Sequence, residues 1–403
     1  HINVMMILSA LRRLYPEFHG MYGQIDGSAD MVETVLNLQS ELFFYHESLE
    51  IEHSVQIVPH LASLGFYEQN LFDFLLPMEH IQKIDIHDAK IYNKQSIHGI
   101  IYSFGKTLHL SNPMLLKKMC KQLTEYRSTF HFEQYIECIW SVLCIHFLSA
   151  SNMADNHKEK NRNPMEMFYE SDRFLLSREV IDKLFKTLQG RLSDIDVSLM
   201  STDLAIKLLQ IQIISNILDT PSKVMWPSFE QMLRDGLQNE LLMRYKIEHD
   251  EEKKDVETLW DRNEYNIKVL RCVNKVLYGE EIGSESFLMK NKYELTGMMS
   301  EMRNKRMEFD HVEGRGLVID LCVDNKEKRG IMIYGPSEVF IDNEEKLCGE
   351  NYMNWYLLSK YCEWDLLCLN WKTHDSEDKI IDDLRPWLES HKTRKPRKKQ
   401  YIA

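Results

Sequence analysis

Glycine and proline are scarce in this 403-residue chain, at 16 and 10 residues. Sandwiches and barrels need many tight turns, so the scarcity argues against them and for helices joined by short polar loops. No apolar run approaches the roughly 20 residues that span a bilayer, and no membrane segment is expected. The eight cysteines (Cys120, Cys138, Cys144, Cys272, Cys322, Cys348, Cys362 and Cys368) form no C-x-x-C pair and mostly sit in apolar runs. That pattern suits reduced core thiols of an intracellular or organellar protein better than disulfides or a zinc site. A P-loop, a dinucleotide fingerprint, a nucleophile elbow and H-E-x-x-H are also missing, so neither a cofactor nor a metal is expected. His53 and His60, like His80 and His87, stand seven apart without a third ligand at metal spacing, and read as ordinary helix histidines. The chain begins at His1, which leaves it silent on a targeting peptide.

What is present is a soluble globular composition, 44% hydrophobic and 28% charged, with 21 methionines that read as core filling. The length exceeds one core, so two domains are expected and three are allowed. Charge is unevenly placed. The total is −13, yet the last stretch, HKTRKPRKKQYIA, carries Lys392, Arg394, Lys395, Arg397, Lys398 and Lys399 and no acid. Subtracting those six positive charges from −13 leaves −19 for the remainder. An acidic body with a short basic tail is a different object from a protein coated in nucleic acid.

Helical periodicity runs through the first two thirds. Val4, Ile7, Leu8, Leu11 and Leu14 recur at three- and four-residue steps, and a second helix is expected from about Ala29 to Glu50. Segments starting at Ser54, Ser96 and Tyr135 then place apolar residues at matching helical offsets, 42 and 39 residues apart. Further apolar helices are expected over Leu71–Leu76 and Pro113–Leu123. A period near 40 with two helices per unit marks an α-solenoid; an irregular helical bundle is the alternative. Asn152–Asn163 is expected to be an exposed loop. Helices resume over Ser177–Leu192, Thr202–Leu218, Phe229–Tyr245 and Val256–Leu277, with the charge run Glu248–Glu257 as a solvated helix start or linker. A boundary is expected at Gly279–Ser286.

Only near the C-terminus do short runs rich in Val, Ile, Leu, Cys and Trp appear. After a helix over Tyr293–Met307, strands are expected over Met307–Val312, Gly316–Val323 and Gly330–Tyr334. A helix over Tyr352–Tyr361, a strand over Asp365–Trp371 and a helix over Asp378–Leu388 follow. A strand, a crossover helix and another strand imply partly parallel pairing with helices covering the sheet.

This order and its landmarks resemble the RAP domain, an RNA-binding module named for its abundance in Apicomplexa. The landmarks are V-I-D at Val318–Asp320, I-x-I-x-G-P-S at Ile331–Ser337, Asn343 and Leu347 before a helix, Leu357-Leu358 within it, and the strand Trp364–Trp371. The resemblance covers about the last quarter of the chain. It implies a small α/β fold similar to restriction-endonuclease-like nucleases, preceded by helical repeats of about forty residues, as in organellar RAP and FAST-kinase-like RNA-binding proteins. The expected organisation is therefore mainly α: a solenoid-like repeat region over 1–280, a RAP-like domain over 290–390 and a basic tail over 391–403.

Nucleases of that fold hold a hard cation with an Asp on one strand and acids on the next, because a divalent metal wants several anionic oxygens. Asp320 fits the first position. Met332 and Tyr334 stand where the family often carries acids, and Glu338 replaces its usual His. Binding without cutting is expected, with Asp320 serving a metal, or else capping a turn or pairing with a nearby Lys. Lys326, Lys328 and Arg329 form a basic turn, readable as an RNA contact or as a solvated loop, and the tail residues Lys392 to Lys399 are the other expected phosphate contacts. Tyr334, Trp364 and Trp371 offer base-stacking surfaces if they are not core. The resemblance implies a non-enzymatic RNA-binding protein of the mitochondrial matrix. A structural component of the mitochondrial ribosome, holding rRNA fragments and neighbouring ribosomal proteins, is favoured by the acidic body. Alternatives are an organellar RNA-processing or assembly factor and a metal-dependent endoribonuclease.

Overall fold

The computed structural model describes residues 2–14, 28–45, 49–76, 94–109, 120–125 without 122, 130–156, 178–192, 200–218, 224–237, 264–278, 308–312, 317–335, 338–340 and 347–390. Among these the chain is mainly helical, with a small sheet near the C-terminus. It divides into two compact units. The first comprises 1–240, 312–317 and 336–357; the second comprises 241–311, 318–335 and 358–403.

The first unit holds helices α1 (Ile2–Leu14), α2 (Ser28–Tyr45), α3 (Ile51–Ser63), α4 (Gln69–Leu75), α5 (Lys94–Thr107), α6 (Phe132–Asn156), α7 (Arg178–Leu192) and α8 (Thr202–Ile217). The three segments that match in sequence lie in α3, α5 and α6. α1 packs on α3, α3 on α5, α5 on α6 and α6 on α8. α3 and α6 bury apolar residues at helical spacing, for example Val55, Val58, Leu61 and Ala62 on α3 and Ile136, Ile139, Trp140 and Leu143 on α6. Two neighbours approach closely: a Cβ on Gly105 of α5 would lie 2.3 Å from the Ser141 side chain of α6.

α6 continues to Asn156, so 152–156, expected in a loop, are helical, and the rest of that expected loop lies outside the described residues. No Gly or Pro interrupts the sequence from Phe132 to Asn156, and polar residues alone do not end a helix. A helix over 227–237 opens at Pro227, a residue pre-set for the first helical position. The helix expected over Pro113–Leu123 lies outside the described residues except at its end. The charge run at Glu248–Glu257, the boundary at Gly279–Ser286 and the helix at Tyr293–Met307 lie wholly outside them.

In the second unit α9 (Glu264–Tyr278) and α11 (Glu377–Glu389) cover a sheet of order β1 (Glu308–Val312), β2 (Val318–Asp324), β3 (Arg329–Tyr334) and β4 (Asp365–Asn370). β2 pairs antiparallel with β3, and β3 pairs parallel with β4 from Arg329↔Asp365 to Tyr334↔Asn370. Val269, Cys272 and Val273 of α9, Leu321, Ile331, Ile333 and Leu369 of the sheet, and Ile380, Ile381 and Leu384 of α11 form one core. That core draws α9 into the sheet unit, so the helix expected to close the helical half belongs with the strands instead. α10 (Gly349–Tyr356) is reassigned the other way. It lies in sequence between β3 and β4, but belongs to the first unit, where it packs on α5. A π turn, Leu357–Tyr361, then leads back toward β4.

Candidate nucleic-acid interface

The β2–β3 turn is a tight polar reversal. Asp324 Oδ1 accepts from the backbone N–H of Lys326 at 2.9 Å and of Glu327 at 3.1 Å, which closes the turn. Lys328 adopts φ +52, a left-handed conformation that is uncommon without glycine, and locks the chain into β3. Its Nζ donates to the Cys362 carbonyl at 2.8 Å, and its own carbonyl accepts from Asp365 N–H at 2.8 Å. Lys328 therefore ties the turn to the start of β4.

Arg329 goes further inward. It is 5% exposed, with Nε 3.4 Å from Asp365 Oδ2, Nη2 donating to the Trp387 carbonyl at 2.5 Å, and its guanidinium 4.1 Å from the Trp387 ring centroid. A side chain so spent offers no phosphate contact, which corrects the sequence reading of Arg329. Of the three basic turn residues, Lys326 is exposed, Lys328 half-buried and Arg329 buried. Lys392, Arg394, Lys395, Arg397, Lys398 and Lys399 lie outside the described residues.

The opposite end of the β2–β3 pair carries Asp320, Met332 and Tyr334, the positions compared in sequence with metal-binding acids. Asp320 Oδ2 accepts from the Ile333 backbone N–H at 2.7 Å, so that oxygen braces the β2–β3 pair. Met332 and Tyr334 are buried. Cys368, register partner of Met332, donates its thiol toward Tyr334 Oη at 3.9 Å. Burial, with the Asp320 charge adding, pushes the Cys368 thiol up to about 11, so it stays protonated near neutrality and is no nucleophile. No group of three His, Cys, Asp or Glu among the described residues is placed to hold a metal.

The three aromatics divide by burial. Tyr334 and Trp364 are core, while Trp371 is half-buried with Lys372 Nζ 4.8 Å from its ring centroid. Beside it His374 Nε2 meets Asp383 Oδ2 at 2.8 Å. β3 and β4 separate this end from the Lys326 turn by roughly 20 Å, six residues of strand rise, so the two are not one patch.

Sequence reasoning missed a buried ion cluster in the first unit. Lys207 of α8 is 1% exposed; its Nζ lies 2.5 Å from Asp203 Oδ2 and 2.9 Å from Glu350 Oε1. Tyr102 Oη donates to the same Glu350 oxygen at 2.9 Å. Burial disfavours the Lys207 ammonium, but the two carboxylates outweigh it and hold its pKa above the ordinary value. Burial likewise pushes Glu350 up, and Lys207 with Lys106 overcomes it, leaving that carboxyl below its usual range. Asp203 is left above its usual range by burial and the Glu350 charge. The signal was available: Leu204, Ala205, Leu208, Leu209, Ile211, Ile213 and Ile214 put apolar residues on every side of α8, so a lysine among them needs an internal partner.

Comparison with known proteins gives no family model that matches the chain, and no curated protein matches it.

Proposed function

We propose that the chain is a non-catalytic RNA-binding protein of the RAP type, with a helical-repeat region ahead of the sheet unit, acting in the mitochondrial matrix as a structural component of the ribosome. The observation that carries the non-catalytic part is the strand end at Asp320. One of its oxygens braces the Ile333 N–H, and Met332 and Tyr334 fill the neighbouring positions where metal-binding acids would stand. One carboxylate without a second acid does not supply the oxygens that a hard cation needs. The stacking of α3, α5, α6 and α8 in chain order supports the repeat reading. The parallel β3–β4 pair, covered by α9 and α11, supports the RAP reading.

An acidic body of −19 and a basic tail favour a stable place among basic neighbouring proteins, with rRNA contacts confined to the sheet unit and tail. A transient processing or assembly factor would instead need a long basic groove for its RNA. Incubation of the full chain with single-stranded RNA and Mg²⁺ or Mn²⁺ is expected to give no cleavage; cleavage abolished by Asp320→Ala would make the protein an endoribonuclease. Crosslinking and sequencing of RNA bound in the native organelle is expected to recover rRNA, and recovery of messenger or precursor RNA alone would favour the processing factor.

A further inference from the structure

α2 buries one half of its circumference, through Val35, Gln39 and Leu42, and exposes the other. At helical spacing the exposed half holds two adjacent rows, Leu36–Ser40–Phe44 and Glu33–Asn37–Glu41. Phe44 is 83% exposed and Leu36 40%. The apolar row continues onto α4, where Phe74 is 43% exposed and meets Phe43 of α2 edge to face, with ring centroids 5.4 Å apart. Single exposed apolar side chains are ordinary, but a patch shared by two helices marks a surface that another molecule covers.

Charge around this patch is of one sign. The sequence has no Lys or Arg between Arg13 and Lys83, so α2, α3 and α4 carry neither. Arg13 belongs to α1, which packs on α3. Asp30, Glu33 and Glu41 are exposed on the same half of α2 as the apolar row. With no basic residue in the last turn of α2, the negative end of its dipole, beside Phe44, is not offset from within the helix. These charges select the occupant. Nucleic acid or an anionic lipid surface would bring phosphates against carboxylates, and a two-fold contact with a second copy would set one acidic face against another. A cationic segment with an apolar side meets neither repulsion.

We infer that the outer half of α2, extended by Phe74 of α4, is a docking surface for a cationic amphipathic helix of a neighbouring protein, whose apolar residues cover Leu36, Phe44 and Phe74 and whose Lys or Arg residues stand opposite Asp30, Glu33 and Glu41. The inference deepens the reading that sets an acidic body among basic neighbouring proteins, and rests on it for the identity of the neighbour. Apolar contact supplies most of the affinity in such a pairing, while the charges set register and reject acidic partners. α2 has 18 residues. A partner helix of about 27 Å therefore matches its length.

Binding of the full chain to a labelled Leu–Lys peptide of about 18 residues, with leucines at helical i, i+3 and i+4 spacing, tests the surface. Two control peptides, one with Lys replaced by Glu and one with Leu replaced by Ser, should bind at least roughly tenfold more weakly. Phe44→Ala should weaken the Leu–Lys peptide roughly tenfold without shifting the thermal midpoint, because Phe44 is mostly outside the fold. Glu33→Lys with Glu41→Lys should weaken it several-fold at low salt and little at high salt. An equal reversal on α11, Asp378→Lys with Asp382→Lys, alters a helix that exposes no large apolar side chain and should leave binding within about twofold at physiological salt. Photocrosslinks from the peptide should fall within 30–45 and 71–75. Equal binding of the serine control, no effect of Phe44→Ala, or equal loss from the α11 reversal would overturn the surface. So would a concentration-dependent dimer, or binding to anionic vesicles, that Phe44→Ala abolishes. In the native organelle, ribosomal crosslinks that all avoid 28–76 would overturn the surface and leave the ribosomal reading standing. Peptide binding as expected, by a chain that never sediments with ribosomal particles, would overturn that reading and leave the surface standing.

Discussion

Lys207 shows what a single buried charge demands. Its ammonium is held by Asp203 and Glu350 and lies 5.2 Å and 5.5 Å from the Tyr102 and Trp140 ring centroids. Removing one partner from such a set leaves the others uncompensated, so Lys207→Met should cost about 3 kcal/mol in denaturant unfolding. The two acids should differ. Glu350 titrates below its ordinary 4.5, so the stability it contributes is complete above that pH and is lost as pH falls through its lowered folded value. Asp203 is shifted upward, so its protonation is favoured by folding and opposes that loss. Glu350→Gln is expected to flatten the acid limb of a stability-against-pH curve, and Asp203→Asn to steepen it. Equal effects of the two substitutions would show that the acids share Lys207 symmetrically.

At the scale of elements, contact geometry is set by the smallest residues. A Cβ on Gly105 would meet Ser141 at 2.3 Å, and one on Gly349, the first residue of α10, would meet the Gly105 carbonyl oxygen at 1.9 Å. Gly105→Ala must push α6 away from α5, and overpacking of that kind costs about 1 to 3 kcal/mol. Gly190→Ala on α7, where nothing lies within 4 Å of an added Cβ, should be neutral or slightly stabilising by helix propensity. Thermal melts of the two variants check the contrast. The sequence made most helices and strands legible because their burial is periodic: the apolar steps from Ser54, Ser96 and Tyr135 lie in α3, α5 and α6, and the short runs at Val318, Ile331 and Leu366 lie in β2, β3 and β4. Destination was not legible. Nothing in the local pattern of Arg329 says that it turns inward, because that depends on Trp387 arriving from a helix 58 residues later. The allegiance of α10 was hidden for the same reason: it rests on long-range partners such as Tyr102.

For the whole molecule, charge is segregated along the chain more sharply than its total suggests. Removing 391–403 shifts the net charge from −13 to −19 and is expected to remove the greater part of any salt-sensitive affinity for polyanions. Cutting elsewhere has another effect. The helical unit includes 336–357 as well as 1–240, so a fragment ending at 240 lacks α10 and leaves Lys207 without Glu350. Such a fragment should unfold at lower denaturant than the full chain's helical unit. Addition of a 336–357 peptide should restore part of the difference, and no response would mean that α10 is dispensable to the unit. Vectorial synthesis meets the same constraint. The helices α1 to α8 leave the ribosome long before the segment that supplies Glu350, so until residue 357 emerges a nascent chain carries a buried-type lysine with half its counter-charge.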